Sequence, residues 1–368
     1  MKRDYTYEMA LALLPGVGCQ TQRQLIEITG SAQALFEMPK SELNNLFGKH
    51  KEIVDAIVNR SVFGDVEKEM RFVEKNRINV YWFKEEDYPQ RLNRAGCNDC
   101  PTLLYGLGNA DLNAQRAASV VGTRKATPQG VELTYQLTNG LRSEAVTIIS
   151  GLALGIDTAA HQGALAAGLP TIAVLAHGLN RIYPPQNRTL AKQILGAGGT
   201  LLTEMRSDTK MSPGLFPARN RIIAALSDGT VVVEASRTGG ALITANLASG
   251  YHREVFAFPG RVGDKYSEGC NAIIASNKAM LIRGADDLLF HLGWQRHQRE
   301  TGRQTTLLPK LEPDEQAVYN LLQSHPECTI DTLRELCDIP MPRLATALLA
   351  LELKDCCRCL PGKVYKAL

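Results

Sequence analysis

Val120-Val121-Gly122-Thr123-Arg124-Lys125 and, within about forty residues, Ser150-Gly151-Leu152-Ala153-Leu154-Gly155-Ile156-Asp157 decide the fold. In both, a short strand-forming stretch ends in glycine just before a helix-forming segment. An α/β sheet builds a phosphate cradle this way, because backbone N–H groups and the positive end of a helix lie open where no Cβ blocks approach. Two cations follow the first glycine at once. Such charge suits a polyanion better than a neutral metabolite.

Working outward, apolar strand-like runs recur at 118–121, 146–149, 171–176, 200–203, 230–233, 255–258 and 279–282. Helix-compatible segments such as 130–142, 158–167 and 242–249 lie between them. Near-continuous apolar strands alternating with helices predict a parallel sheet covered on both faces. The expected fold is therefore α/β, a doubly wound Rossmann-like domain over 113–293. Residues 1–65 read as helices around Pro15-Gly16-Val17-Gly18, a helix-hairpin-helix or SAM-like leader. That hairpin offers amides to a DNA phosphate, or serves packing or partner binding. Residues 66–112 read as a connector leaning on the Rossmann-like domain. Residues 294–311 read as a polar tether carrying Arg296, Arg299 and Arg303. Residues 312–368 give three short helices and a hairpin turning at Pro361-Gly362, a winged-helix outline. Its third helix offers mainly Arg343 and Lys354 amid Leu and Ala, which favours protein contact over duplex reading.

Composition narrows the classes. The chain has 368 residues, 44% hydrophobic and 21% charged, with a formal net charge of +3. A nucleic-acid site must then come from local clustering of cations. No apolar run approaches the roughly 18–20 residues that span a bilayer. The start, Met1-Lys2-Arg3, leads into no signal-like core, so a cytoplasmic protein is expected. Nine cysteines in a chain of this length are not a disulfide framework. Cys97-Asn98-Asp99-Cys100 has the spacing of a metal knuckle, with Cys356, Cys357 and Cys359 as a distant second arm. A tetrahedral site normally takes both pairs from one compact unit, so reduced thiols and no metal are expected.

Three further constellations carry charge or chemistry. In Phe216-Pro217-Ala218-Arg219-Asn220-Arg221, the two arginines cannot share a face of a helix, being about 200° apart. If Asn220 caps the helix instead, Arg219 and Arg221 converge on one anion. Glu234-Ala235-Ser236-Arg237-Thr238-Gly239-Gly240 is a third glycine-rich turn, at the same carboxyl edge where such folds bind ligands. Asp157 and His161 stand four apart, as an acid–base pair or as a helix-start carboxylate and an internal histidine. With no nucleophile or second carboxylate paired to them in sequence, the second reading is favoured. Glu204 and Glu234 end strands and more often tie down a turn than catalyse.

Taken in order, Val-Val-Gly-Thr-Arg, Ser-Gly-Leu-Ala-Leu-Gly-Ile-Asp-Thr-Ala-Ala-His, Phe-Pro-Ala-Arg-Asn-Arg-Ile-Ile and Ala-Phe-Pro-Gly resemble the bacterial DNA-processing family called DprA or Smf. The resemblance covers about 115–290. It implies a non-catalytic single-stranded DNA-binding protein of competence and natural transformation, with no cofactor. Such proteins protect incoming strands and load the RecA recombinase, as homodimers through the Rossmann domain. The implied DNA pocket takes Gly122, Arg124, Gly151, Gly155, Asn220 and Arg221, with Lys125 as a neighbour. Arg219 and Gly239 join it from the residue reading. Many relatives carry a basic residue where this chain has Leu169-Pro170, which leaves that contact absent or to Arg181 or Arg188. Four to six phosphate contacts predict a slope of log K against log salt of roughly −3 to −4.

Two other classes compete with this reading. Rossmann-like phosphoribohydrolases use a Pro-Gly-Gly-x-Gly-Thr-x-x-Glu turn; aligned on Gly239-Gly240, this chain has Asn246 where the glutamate belongs, so the acid–base role is empty. Nicotinamide-cofactor chemistry lacks the Gly-x-Gly-x-x-Gly spacing. A scaffold acting through its end domains is compatible with DNA binding. With only 6% aromatic residues, base stacking is expected to count for less than charge.

Overall fold

A computed structural model describes residues 4–294 except 95, and 311–367 except 326–327, 338, 355 and 361–363. The chain divides into two compact units, Met1–His297 and Gln298–Leu368. The expected tether, apart from its end residues, and the Pro361-Gly362 turn lie outside the described residues.

The first unit opens with helices α1 (Thr6–Ala12), α2 (Cys19–Thr29), α3 (Ala32–Glu37), α4 (Lys40–Phe47), α5 (Lys51–Val58) and α6 (Phe63–Lys75). Tyr7, Phe36 and Phe63 from α1, α3 and α6 meet ring to ring, with centroids 5.2–6.1 Å apart. Gln22 of α2 donates from Nε2 to the carbonyl of Val17, in the hairpin between α1 and α2 (2.9 Å), and accepts from the Thr102 hydroxyl. The glycine hairpin is thereby pinned to the segment leading into the sheet.

That segment is more than a connector. It supplies β1 (Asn79–Trp82) and β2 (Leu103–Gly108), which join the sheet as antiparallel strands through β2 against the sixth strand. Its aromatic and β-branched residues Val80, Tyr81 and Trp82 are buried like those of any sheet strand. The parallel part follows: β3 (Ala117–Val121), α7 (Pro128–Gly140), β4 (Thr147–Ser150), α8 (Ile156–Ala167), β5 (Thr171–Val174), α9 (Arg188–Gly196), β6 (Thr200–Thr203), α10 (Leu215–Ala225), β7 (Gly229–Val232), α11 (Gly240–Gly250), β8 (Glu254–Ala257), α12 (Glu268–Ala275), β9 (Met280–Leu281) and α13 (Ala285–His291). Among the described residues the sheet runs β1-β2-β6-β5-β4-β3-β7-β8-β9.

Pleating sorts the core. Ala118 and Val120 of β3 face Leu137, Ile156, Ala160 and Leu288 from α7, α8 and α13. Ala117 and Val121 face the other way, toward Ile222, Ile223 and Ala245 from α10 and α11, in a cluster that continues into the helical leader. Each fully buried Leu, Ile or Val stabilises the unit by about 1.5–3 kcal/mol. Two-sided burial makes these strands apolar throughout, which is why the sequence shows runs and not alternation.

The second unit holds α14 (Pro313–Ser324), β10 (Cys328–Thr329), α15 (Ile330–Leu336), α16 (Met341–Leu353), β11 (Cys357–Leu360) and β12 (Val364–Ala367). Leu344, Ala347, Leu348 and Leu351 of α16 pack inward. Both cations of this helix region are engaged: Arg343 with Asp314 (2.7 Å) and Lys354 with Glu315 (2.5 Å). Leu349 and Leu353 stand exposed on the outer side.

Candidate nucleic-acid interface

The order in which strands are added reverses between β3 and β7, which pair in parallel: the connections after β3 step one way to β4, β5 and β6, and β7 returns to the other flank of β3. A crevice opens outside the carboxyl ends of the strands at such a point. Here it is an open cleft of about 900 Å³, lined by Gly122–Arg124, by Gly239–Ala241 and by Phe216, Arg219 and Asn220 of α10.

The first turn is braced from two sides. Thr123 N donates to the Glu234 carbonyl (2.8 Å) and Ile156 N donates to the Thr123 carbonyl (3.2 Å). A Cβ on Gly122 would lie 2.5 Å from Ile156 Cγ1, so only glycine lets α8 approach β3. Gly155 has φ +81, and a Cβ there would sit 2.2 Å from the Thr123 oxygen. The result is a fixed turn that holds Arg124 and Lys125 outward, both exposed.

The second turn departs from the expected cradle. Asp157 Oδ2 accepts from Gly151 N (3.1 Å) and Ala153 N (3.3 Å), so those amides already hold a carboxylate. Asp157 is buried, which raises its pKa, while the nearby Arg219 charge and these amides oppose the rise. Gly151 serves a different purpose: a Cβ would lie 2.5 Å from the Arg219 guanidinium. It makes room for an arginine, not for a phosphate.

The arginine pair requires a second correction. Asn220 does not cap a helix; α10 begins at Leu215, so Arg219 and Arg221 lie within it and point to different sides. Arg219 is buried under the cleft floor and donates to the carbonyls of Gly151 (2.6 Å) and Val174. Burial, opposed by the Asp157 charge and reinforced by Arg124, brings its pKa down to about 10. Arg221 turns away and pairs with Glu204, both side chains nearly buried at 15% and 11% exposure. Burial disfavours the Arg221 charge, yet Glu204 and the sulfurs of Cys19 and Cys100 outweigh it and raise the pKa. Arg221 and Arg124 do not converge.

The third turn lines the cleft with Gly239, Gly240 and Ala241. The helix α11 starts at Gly240 with no side-chain cap, so the N–H groups of Gly240 and Ala241 lack intrahelical partners. Glu234 is tied down: it accepts from Thr127 N (3.0 Å) and the Thr127 hydroxyl. His161 is fully buried, with Nδ1 against Thr171 Oγ1 (2.7 Å), and burial brings its pKa down to about 3. Asp157 and His161 thus behave as a helix-start carboxylate and a neutral core histidine. Among the described residues, no three His, Cys, Asp or Glu side chains could hold a metal ion.

One feature of the cleft was missed in sequence. The Arg124 guanidinium lies 5.2 Å from the Phe216 ring centroid, and Phe216 stands 5.7 Å from the ring of Tyr183, which is 45% exposed. The mouth therefore combines a cation with two aromatic faces. Tyr183 precedes a proline pair, Pro184-Pro185, and nothing in its spacing ties it to residue 216. Arg181 is exposed and donates to the Thr209 carbonyl (3.2 Å); Arg188 is exposed at the start of α9.

Comparison with known proteins agrees with this geometry. The profile of DNA recombination-mediator protein A matches residues 79–293, and that of the DprA winged helix domain matches residues 303–363. Protein Smf of Synechocystis sp. is 39% identical over 238 residues, 60% of this chain and 59% of that protein's length. The X-ray structure of DNA processing protein A from Streptococcus pneumoniae superposes with TM-score 0.68 and 32% identity, covering 79% of this chain and 98% of that one. The structure of DNA processing protein A from Helicobacter pylori, described for its single-stranded DNA binding mode, superposes with TM-score 0.53 and 29% identity. It covers 60% of this chain and 98% of that one.

Proposed function

The chain belongs to the DNA recombination-mediator protein A family, also called DprA or Smf, and from that premise we propose that its cleft grips single-stranded DNA. The observation that carries the proposal is the exposed Arg124 guanidinium poised over Phe216 at the reversal of the sheet. Arg124 and Lys125 meet phosphates from the first turn, and Arg219 adds charge from beneath the floor. The N–H groups of Gly240 and Ala241 donate to a further phosphate oxygen. Gly122, Gly155 and Gly239 shape the turns, and Asn220 lines the wall. Phe216 and Tyr183 offer stacking faces to unpaired bases, a preference for single strands that charge alone does not give. Arg221 holds α10 in place and does not touch DNA.

The reading is non-catalytic. The carboxylates that sequence offered as acids or bases, Asp157, Glu204 and Glu234, are each engaged by amides, a hydroxyl or an arginine. Family membership supports further roles: protecting incoming strands in natural transformation, loading the RecA recombinase, and acting in the cytoplasm as a homodimer through the sheet domain. No described helix is long and apolar enough to cross a membrane.

The test is a salt-dependent titration of the full chain with single- and double-stranded oligonucleotides, alongside mass measurement in solution. Arg124 and Arg219 line the cleft, and the exposed Lys125, Lys210 and Arg237 adjoin residues that line it. At about −0.7 per neutralised phosphate, these five cations give a single-strand slope of about −3.5 at its steepest. Equal affinity for duplex at every salt concentration contradicts the proposal.

A further inference from the structure

Cys97-Asn98-Asp99-Cys100 belongs to no part of the cleft, yet its geometry is specific. Cys97 N donates to the Arg94 carbonyl (3.1 Å) and Cys100 N donates to the Cys97 carbonyl (3.0 Å). The four residues thus close a hydrogen-bonded turn, in which the first and last Cα atoms lie within about 7 Å. A disulfide needs about 4.4–6.8 Å between them. Both side chains are buried, at 2% and 0% exposure. No third ligand completes a metal site among the described residues.

We propose that Cys97 and Cys100 form a redox couple, a dithiol that closes to an intrachain disulfide when a small disulfide oxidant reaches the turn. The surroundings separate the roles of the two thiols. The neighbouring Cys100 thiol favours the Cys97 thiolate against the effect of burial, and the charges of Arg253 and Arg23 assist. Each of these arginines has a buried Nε without a partner, as expected where an anionic sulfur forms beside them. Cys100 is held protonated by the neighbouring sulfur and by burial. A surface groove of about 550 Å³, lined by Gly96, Asn98 and Asp99 of the turn and by Tyr251 of the adjoining segment, lies beside the two buried thiols, which an oxidant reaches when the turn opens.

The chemistry balances as two exchanges. The Cys97 thiolate attacks one sulfur of the oxidant, forming a mixed disulfide and releasing the other half as a thiolate. Cys100 gives up its proton to that thiolate and attacks Cys97 Sγ, expelling the second half, which takes a proton from water. Two electrons pass to the oxidant, which leaves as two thiols. The turn is anchored on both sides: Asp99 accepts from the Tyr251 hydroxyl (2.8 Å) and the Cys100 carbonyl accepts from Arg23 Nη2 (3.5 Å). Oxidation is therefore confined to a braced loop.

The test equilibrates the full chain with oxidised and reduced glutathione, quenches in acid and alkylates. Cleavage after Arg94 and Arg116 frees a peptide, 95–116, in which Cys97 and Cys100 are the cysteines. The expected wild-type peptide carries two alkyl groups or none, the two states exchanging with glutathione potential. In Cys100→Ser, Cys97 traps one glutathione; in Cys97→Ser, Cys100 stays unmodified and alkylates slowly at neutral pH. Circular dichroism checks that both variants fold, and the wild-type peptide decides the matter if they do not. A peptide that stays doubly alkylated while the exposed Cys359 of the same sample takes up glutathione overturns the proposal. Indistinguishable reactivity of the two variants overturns the assignment of roles.

Discussion

Replacing Arg221 by alanine separates a structural arginine from a DNA contact. In the folded chain, Arg221 Nη2 donates to Glu204 Oε2, with both groups nearly buried. Glu204 Oε1 and Arg221 Nη1 are already buried without partners, so this pair has no reserve. Arg221→Ala leaves a buried carboxylate uncompensated, which costs about 3–5 kcal/mol. At roughly 2–4 °C per kcal/mol for a domain of this size class, the melting temperature falls by on the order of 10 °C. Burial already raises the Glu204 pKa, and removing the arginine raises it further. A carboxyl whose folded pKa exceeds its unfolded one holds its proton more tightly when folded. The deficit is therefore full above the folded pKa and shrinks as pH falls through it toward the unfolded value. Replacing the pair together, Arg221→Met with Glu204→Leu, recovers most of the loss. Urea unfolding between pH 5 and pH 8 measures all of this, and oligonucleotide titration of the folded variant shows an unchanged salt slope. A variant of undiminished stability but weaker binding and shallower slope refutes the reasoning, and restores convergence of Arg221 with Arg124.

Three further outcomes follow from the same geometry. Arg124→Ala leaves stability unchanged, flattens the single-strand salt slope by about 0.7, and at 0.15 M salt weakens binding about four-fold from counterion release alone; a gel-shift titration across salt concentrations reads both. Gly155→Ala forces a Cβ to within 2.2 Å of the Thr123 oxygen at φ +81, and denaturant unfolding should show a loss of about 1–3 kcal/mol or more. His161 titrates near 6.5 unfolded but near 3 when buried. Protons thus bind the unfolded chain preferentially, and stability present above about pH 6.5 is lost as pH falls toward 3. Between pH 7 and pH 5 that loss is about 2 kcal/mol, and His161→Leu should remove it from the measured pH dependence of unfolding.

The fold was legible because its signal is local and repeated. Seven apolar runs ending at turns announce a parallel sheet, and their positions agree with the strands from β3 to β9 to within a few residues. Gly122 and Gly155 were legible for the same reason: a close approach or a left-handed φ admits little else. The failures lie where one decision about a helix start fixes many directions. Placing the start of α10 at Asn220 instead of Leu215 turned two diverging arginines into a converging pair. Gly151 was recognised as special, but its neighbour Arg219 is 68 residues away in sequence and no local pattern links them. The pairing of β2 with β6 was likewise hidden, because it joins segments about a hundred residues apart. Tyr183 beside Phe216 belongs to the same class. Long-range partners leave no periodicity to read.

The most direct check is photocrosslinking of the full chain to a single strand carrying halogenated pyrimidines, followed by peptide mapping. If unpaired bases stack at the mouth of the crevice beside Arg124, adducts concentrate on Phe216 and Tyr183 and fade as salt rises. Adducts confined to the winged helix or the helical leader, with neither aromatic labelled, contradict the account.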